Sequence, residues 1–489
     1  MKLSELISTC FVKNDWSGMA NLNISSLTQY IEEVTIGSLF ICINNTYYDG
    51  HDFIQQAIDQ GASAIIVDQL PTVQGPFILV SHTNKAMAQV ANQFYGYPSR
   101  NMRMFGVTGT NGKTTTTFLI DEILKHAGFN NGLIGTLYNK IGHKYYPTPN
   151  TTPHTVQLQK LLAEMSQAEV TDCVMEVSSH GLKQERVLGI DFDVAVFTNF
   201  TQDHLDFHES MEDYLQSKTS LFTRLGNALS ETPKAAIINI DDSYGQLFVD
   251  STPANVYTYG CLGKGDIQAI NIQSTANGTN FALLLLDKEY PLSTHLVGEF
   301  NVYNILAAFG ASYAAGISPD TIIEAIQGIT GVKGRFQSVP NDAGVMAIVD
   351  YAHTPDGLLN VLTVANKLTT GNLYCIVGCG GNRDISKRPL MAQIAIDHAD
   401  HGIFTTDNPR NERPEAIIAD MTATLTKTNF DVELNRQLAI ELALSKAHAG
   451  DTILVAGMGH ETYRLPTAPT IDLDDVQVIE NYFQKLSPI

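Results

Sequence analysis

Short apolar runs alternate with helical stretches along the whole chain, in three blocks. Over residues 1–99 the runs SLFICI, SAIIVD and FILVS alternate with helical patterning at 52–60 and 85–95. YGYPSRNM then reads as a linker, with Pro98 closing the preceding helix. The second block opens with RMFGVTGTNGKTTTTFLIDEILKHAGF, which predicts a strand at 104–107, a glycine-rich turn at 109–112 and a helix. Leu119, Ile123 and Leu124 recur at helical spacing until Gly128 stops it. CVMEVS, DVAVFTNF and KAAIINI predict further strands. A third block begins near GVKGRFQSV (331–339), and its strands MAIVDYA, LYCIVGCG, GIFTTD and TILVAG each run into a polar or glycine-rich loop. The alternation predicts an α/β chain of three domains, 1–99, 100–332 and 333–489, the central one on a doubly wound, mainly parallel sheet. Ligands of such open sheets collect at the carboxyl ends of the strands, where the motifs of interest fall.

Composition narrows the function classes. With 44% hydrophobic and 17% charged residues in 489, a packed interior is expected. Lys+Arg 30 against Asp+Glu 51 leaves a net charge of −21, which argues against binding nucleic-acid backbone or anionic membranes. A local basic pocket for a small anion remains compatible with it. Of the six cysteines only Cys375 and Cys379 lie close together, with no second Cys/His pair to complete a zinc set, so reduced thiols buried in strands are expected. The opening MKLSELISTCFVKNDW has no apolar core of signal-peptide length, and FALLLLDKEY (281–290) is far short of the roughly 20 apolar residues a bilayer span needs. A cytoplasmic protein is the expectation.

The strongest chemical signal is GTNGKTT (109–115). Its glycines let backbone N–H groups close on phosphate oxygens, Lys113 reaches the terminal phosphates, and the Thr114 hydroxyl can ligate Mg²⁺. The spacing departs from the standard phosphate loop, since Val107 stands where a glycine is usual. VMEVSSHGLKQERV (174–187) adds Glu176, a candidate for metal or its water, with Ser178, Gln184 and Arg186 as donors. TNFTQDHLDFH (198–208) adds Asp203, His204, Asp206 and His208, a set that is zinc-like alone but beside a phosphate loop suits Mg²⁺ with His204 nearby. Lys218 in YLQSKTSLF reads in isolation as a solvated helix lysine; buried and neutral, it could instead react with CO₂ and become an anionic ligand. TTDNPRNERPE (405–415) is turn chemistry carrying Arg410, either a surface turn or a fork for an ionic substrate.

Together these motifs, with NTTP (150–153), VGEFNVYNILAA (297–308), GRFQ, DYAHTPDGL (350–358) and GNRDISKRP, resemble the Mur ligase family. The resemblance implies an N-terminal domain for a UDP-linked substrate, a central P-loop ATPase and a Rossmann-like C-terminal domain, in a monomer. It implies an ATP-dependent ligase working through an acyl phosphate, with ATP and Mg²⁺ and with UDP-muramoyl-dipeptide and a diamino acid as partners. Carried over by motif, Gly109, Thr110, Asn111, Gly112, Lys113, Thr114 and Thr115 would bind the ATP phosphates, Asn304 and Arg335 the adenine end, and Asp350 the ribose. Thr114, Glu176, His204 and a carbamylated Lys218 would organise the metal, with Lys113, His204 and Lys218 the catalytic set. Asn150, Thr151, Thr152, Ser178, Gln184 and Arg186 would hold the UDP-muramoyl-dipeptide. Arg383, Asp407, Asn408, Pro409, Arg410, Gly457 and Glu461 would form the amino-acid pocket. Arg at the fourth position of DNPR implies meso-diaminopimelate, whose distal carboxylate a guanidinium can clamp. L-lysine, another diamino acid, and a binding protein without turnover stay open as alternatives. Two stretches depart from the family pattern: SSLTQYIEEVTIGSLF lacks the usual DSR-like segment, and AGMGHE has Met458 in place of a lysine.

Overall fold

The computed structural model describes residues 1–45, 48–226, 233–465 and 468–486. Three larger sheets follow one another along the chain. The first is parallel, in the order Ser26–Thr28, Ser38–Ile41, Ala64–Val67, Phe77–Leu79. Successive strand residues point to opposite faces, so Leu39 and Ile41 pack under the helix Thr83–Phe94, while Phe40 packs with Ile54 and Ala57 of the helix Ile54–Asp59. The helix before the linker ends at Phe94, four residues ahead of Pro98. Gly96 and Tyr97 take left-handed backbone there, and Pro98 opens a single 3₁₀ turn instead of closing the helix.

Seven parallel strands form the middle of the second sheet: Asn131–Ile134, Asp172–Glu176, Arg103–Thr108, Val194–Phe197, Ala235–Asn239, Asn255–Gly260 and Ile267–Thr275. Both faces are covered, as the period-2 pattern requires. Phe105, Val107, Val174 and Val196 face the helices Lys113–His126 and Glu299–Ala314, while Met104, Met175, Ala195 and Phe197 face Thr155–Gln167 and Met211–Arg224. Antiparallel strands extend both edges: Asn139–Ile141 and Lys144–Tyr146 on one side, Gly278–Leu285 and Lys288–Thr294 on the other. FALLLLDKEY belongs to that second hairpin.

The third sheet runs Gln337–Val339, Met346–Asp350, Thr452–Ala456, Leu373–Val377, His401–Phe404, Phe430–Val432, parallel except for its first strand. The last strand in sequence, Thr452–Ala456, is inserted between the second and third. Its carboxyl end therefore lies beside those of Met346–Asp350 and Leu373–Val377, which brings Asp350, Gly378 and Gly457 to one rim. The fold is α/β with helices on both faces of its parallel sheets. All six cysteines are free; Cys173 and Cys375 are buried in strands and Cys42 and Cys379 in loops, whereas Cys10 and Cys261 are only half-buried. Among the described residues no helix is long and apolar enough to cross a membrane.

Candidate active site

One cleft of about 870 Å³ lies between the second and third sheets, and it reaches from the glycine-rich turn to the DNPR loop. Nearly all the residues singled out in the sequence line it. Gly109, Gln184, Asp206, His208 and Pro409 do not. Gln184 instead accepts from Arg186 Nε and Nη2 at 2.9 and 2.6 Å, holding the guanidinium in place, and the Pro409 carbonyl lies against Gly381.

The strand Arg103–Thr108 delivers the turn 109–112 to the N-terminus of the helix Lys113–His126, whose unpaired N–H groups and dipole favour an anion. Gly109 and Gly112 both have positive φ, and a Cβ on either would clash, with Thr198 Oγ1 and Asn304 Oδ1 respectively. The Lys113 ammonium donates to the carbonyls of Gly109 (2.9 Å) and Thr110 (2.8 Å). Lys218 donates to the same Gly109 carbonyl at 2.7 Å and sits over the Tyr214 ring, 4.5 Å from its centroid. It is 1% exposed, which rejects the reading of a solvated helix lysine. Burial first, and Lys113 second, push its pKa well below the ordinary lysine value.

Glu176, at the end of its strand, accepts on both carboxylate oxygens. Oε2 accepts from the hydroxyls of Thr114 (3.0 Å) and Thr136 (3.1 Å), and Oε1 from the Thr136 amide at 2.7 Å. Thr136 hydrogen-bonds Thr151 in turn at 3.0 Å. Thr152 is tied to the Glu176 carbonyl, Ser178 and, through its own carbonyl, Arg186 Nη1 at 2.7 Å. NTTP and the segment after Glu176 thus form one network beside the phosphate loop.

The His/Asp set of TNFTQDHLDFH does not converge on a point. His204 has left-handed backbone and turns its Nε2 to Asp203 at 3.2 Å; His208 is buried against Asp213 at 3.0 Å; Asp206 faces Arg383 at 3.8 Å. Among the described residues no group of three or more His, Cys, Asp or Glu is arranged to hold a metal, so the four do not form the zinc-like set they suggest when taken alone. Burial lowers the His204 pKa well below its usual value, which keeps the ring neutral. Asp203 collects His204, and from the third sheet His353 and Lys387 at 4.0 and 3.9 Å. These last contacts join two domains and were not foreseen from the sequence.

Other contacts also bridge the domains at the phosphate loop. Asn111 Nδ2 donates to Asp356 at 3.0 Å, and Arg335 Nη2 donates to the Thr114 hydroxyl at 2.9 Å while its guanidinium lies over Tyr351. Asp356→Ala should therefore loosen closure on nucleotide. A KM for ATP raised roughly fivefold, or about 1 kcal/mol, is expected in steady-state kinetics, with thermal stability little changed. Asp350, predicted to face the ribose, uses both oxygens on backbone amides, Phe336 at 2.6 Å and Ala352 at 2.7 Å, and so also shapes the turn between the second and third sheets. Asn304 approaches Thr116 at 3.4 Å and Asn301 at 3.2 Å, under the same loop.

At the far end of the cleft stand Arg383, Arg410 and Glu461. Arg410 Nη1 donates to the Gly381 carbonyl at 2.9 Å, and Glu461 accepts from the Tyr351 hydroxyl at 2.9 Å. Partial burial, then repulsion from Arg383, lowers the Arg410 pKa; burial, then Asp407, raises that of Glu461. Arg410, whose guanidinium meets only carbonyls, and Arg383, which faces Asp206 at 3.8 Å, stand next to the half-buried Glu461 carboxyl, a set that suits a ligand carrying both charges. Gly457 and Gly459 have positive φ, and a Cβ on them would press on Asp407 and on Gly334 and Tyr351. Met458 between them is buried and does not line the cleft. The departing stretch of the first domain also has a place here. Gln29 Nε2 lies 3.4 Å from His154 Nδ1, and Tyr30 meets the same imidazole edge-on, so Thr28-Gln29-Tyr30 abuts the segment that follows NTTP.

Fold and site together define a nucleotide-binding α/β protein whose phosphate loop is bridged by side chains of the neighbouring domain. Residues 32–95 match the Mur ligase family catalytic domain, 107–312 the Mur ligase middle domain, and 334–459 the Mur ligase glutamate ligase domain. The chain is 45% identical to the UDP-N-acetylmuramoyl-L-alanyl-D-glutamate–2,6-diaminopimelate ligase of Bacillus velezensis, covering 98% of each. It is 47% identical to the ligase of that name from Lactiplantibacillus plantarum, covering 95% of each. A solved structure of such a ligase superposes with a TM-score of 0.70 at 30% identity over 100% of both chains. A MurF ligase from Thermotoga maritima in complex with ADP shares the fold, with a TM-score of 0.63 at 17% identity over 97% of this chain and 99% of that one. The chain belongs to the Mur ligase family.

Proposed function

We propose that the protein is an ATP-dependent amide ligase that joins meso-diaminopimelate to UDP-N-acetylmuramoyl-L-alanyl-D-glutamate, a step of peptidoglycan precursor synthesis. The observation that carries this reading is the single cleft with the phosphate loop at one end and Arg383, Arg410 and Glu461 at the other. The names of relatives 43–47% identical over nearly the whole chain support it.

In this reading Lys113, at the start of its helix, contacts the terminal phosphates, and the turn amides hold the rest of the triphosphate. Thr151, Thr152, Ser178 and Arg186 place the D-glutamyl side-chain carboxylate in line with the γ-phosphate. Phosphoryl transfer gives an acyl phosphate. The amine of the diamino acid adds to its carbonyl, and the tetrahedral adduct expels phosphate to leave the amide. The bridges from Arg335, Asp356 and His353 close the cleft and keep water from the acyl phosphate.

The donors beside the phosphate loop fit a hard divalent cation: the Thr114 hydroxyl and the Glu176 carboxylate adjoin at 3.0 Å, with the neutral His204 ring as a further donor. Mg²⁺ held there would neutralise phosphate charge. An unmodified Lys218 ammonium does not suit that set. Its depressed pKa favours the free amine, which can add to CO₂ and lose a proton to become a carbamate, replacing a cation by an anion with oxygen donors. A cytoplasmic setting belongs to the same proposal, since ATP and nucleotide-linked sugars are supplied there.

Phosphate release in the presence of ATP, the UDP-linked dipeptide and a panel of diamino acids tests the reading. Diaminopimelate should give the highest kcat/KM. A higher value for L-lysine would overturn the amino-acid assignment, and tight ligand binding without product for any amine would leave a binding protein instead.

A further inference from the structure

The loops that carry the two arginines of the amino-acid pocket are strained. Arg410 and Asn382 are both non-glycine residues with left-handed backbone, φ 47° and 51°. Such backbone is unfavourable for arginine, less so for asparagine, and persists only where the surroundings hold it. The restraint is a lattice between the loops. Gly381 N donates to the Asn408 carbonyl at 2.9 Å, Asn411 N donates to Asn382 Oδ1 at 3.0 Å, and Asn382 N donates to the Glu412 carboxylate. Glu412 Oε1 also receives Arg388 Nη2 at 2.8 Å, and Arg388 Nη1 reaches Asp420 at 2.7 Å. Arg388 is 1% exposed, the largest fully buried side chain in the described structure, and it lies on the helix Lys387–His398 that begins just after Arg383.

We infer that Arg388 and Glu412 are positioning residues for the diaminopimelate clamp: the buried guanidinium fixes Glu412, and Glu412 fixes the loop of Arg383 against the loop of Arg410. Neither lines the cleft. A guanidinium pair grips one carboxylate only if its spacing is set before the ligand arrives, because bidentate geometry tolerates little displacement. The burial of Arg388 has its explanation here, since a fully desolvated charge is costly unless firmly paired. The inference rests on the proposed diaminopimelate specificity.

Glu412→Ala and Glu412→Gln, compared with the wild type in the phosphate-release assay, test it. Glu412→Ala should raise the KM for diaminopimelate about tenfold while kcat at saturation and the KM for ATP stay near wild type, because only the geometry of the distal clamp is lost. The preference for diaminopimelate over L-lysine should shrink in proportion. Glu412→Gln keeps an acceptor for Asn382 N and Arg388 and should restore most of the affinity. An unchanged KM and unchanged preference in Glu412→Ala overturns the inference, as does an equal loss in kcat for every amine, which would mark a general structural role. A wild type that prefers L-lysine overturns the inference together with the specificity it rests on, and so is told apart from failure of the brace alone.

Discussion

Lys218→Ala is expected to lower kcat by about 10²- to 10³-fold, the scale of losing one preorganised charged group aimed at a transferring phosphoryl. The Gly109 carbonyl and the Tyr214 ring favour the Lys218 ammonium, but burial beside Lys113 outweighs them. Lys218 is buried, shares the Gly109 carbonyl with Lys113, and its charged form is disfavoured by both. If the working species is the carbamate, what alanine removes is a carboxylate-like anion, and acetate or formate entering the vacated space should restore part of the rate. Methylammonium should not. Recovery with the amine and none with the acids would overturn carbamylation and make the ammonium itself the working group. Mass spectrometry of the intact wild type, in bicarbonate and after its removal, is an independent measurement of the same point.

Arg410→Ala is the second large effect. A charge-assisted bidentate contact is worth roughly 1.5–3 kcal/mol, so the KM for diaminopimelate should rise about 10- to 150-fold. L-lysine has no distal carboxylate, and its KM should move little or fall, because the variant no longer leaves an unpaired guanidinium in its pocket. An unchanged KM for diaminopimelate would return Arg410 to a surface turn. Arg410→Lys should recover only a fraction, since a point charge cannot reproduce the fork.

Much of this was legible in the sequence where chemistry and local structure coincide. GTNGKTT needs its glycines for left-handed backbone and its lysine at the helix start, and both requirements are met within seven residues. The alternating faces of CVMEVS and DVAVFTNF likewise specify strands buried on both sides. What could not be read depends on distant parts of the chain. Asn111 and Asp356 meet across 245 residues, and no periodicity links them. Thr136, which holds both oxygens of Glu176, lies in a turn without a motif. His204 and His208 stand one turn apart and both rings meet His180, but His204 turns its Nε2 to Asp203 while His208 pairs with Asp213, which their spacing does not reveal. The edge hairpin 278–294 was hidden because FALLLLDKEY is apolar on both faces; its partner Lys288–Thr294 does alternate, with Tyr290, Leu292 and Thr294 buried. Arg388, in GNRDISKRP, carried no signal of its own, since burial is what distinguishes it from a surface arginine.

The carbonyl of Gly109 accepts from two lysines at once, one at the start of the helix Lys113–His126 and one on Met211–Arg224. Those helices cover opposite faces of the second sheet. A single backbone oxygen therefore couples the glycine-rich turn to the packing on both sides, so a core substitution under either helix can displace the turn without touching it.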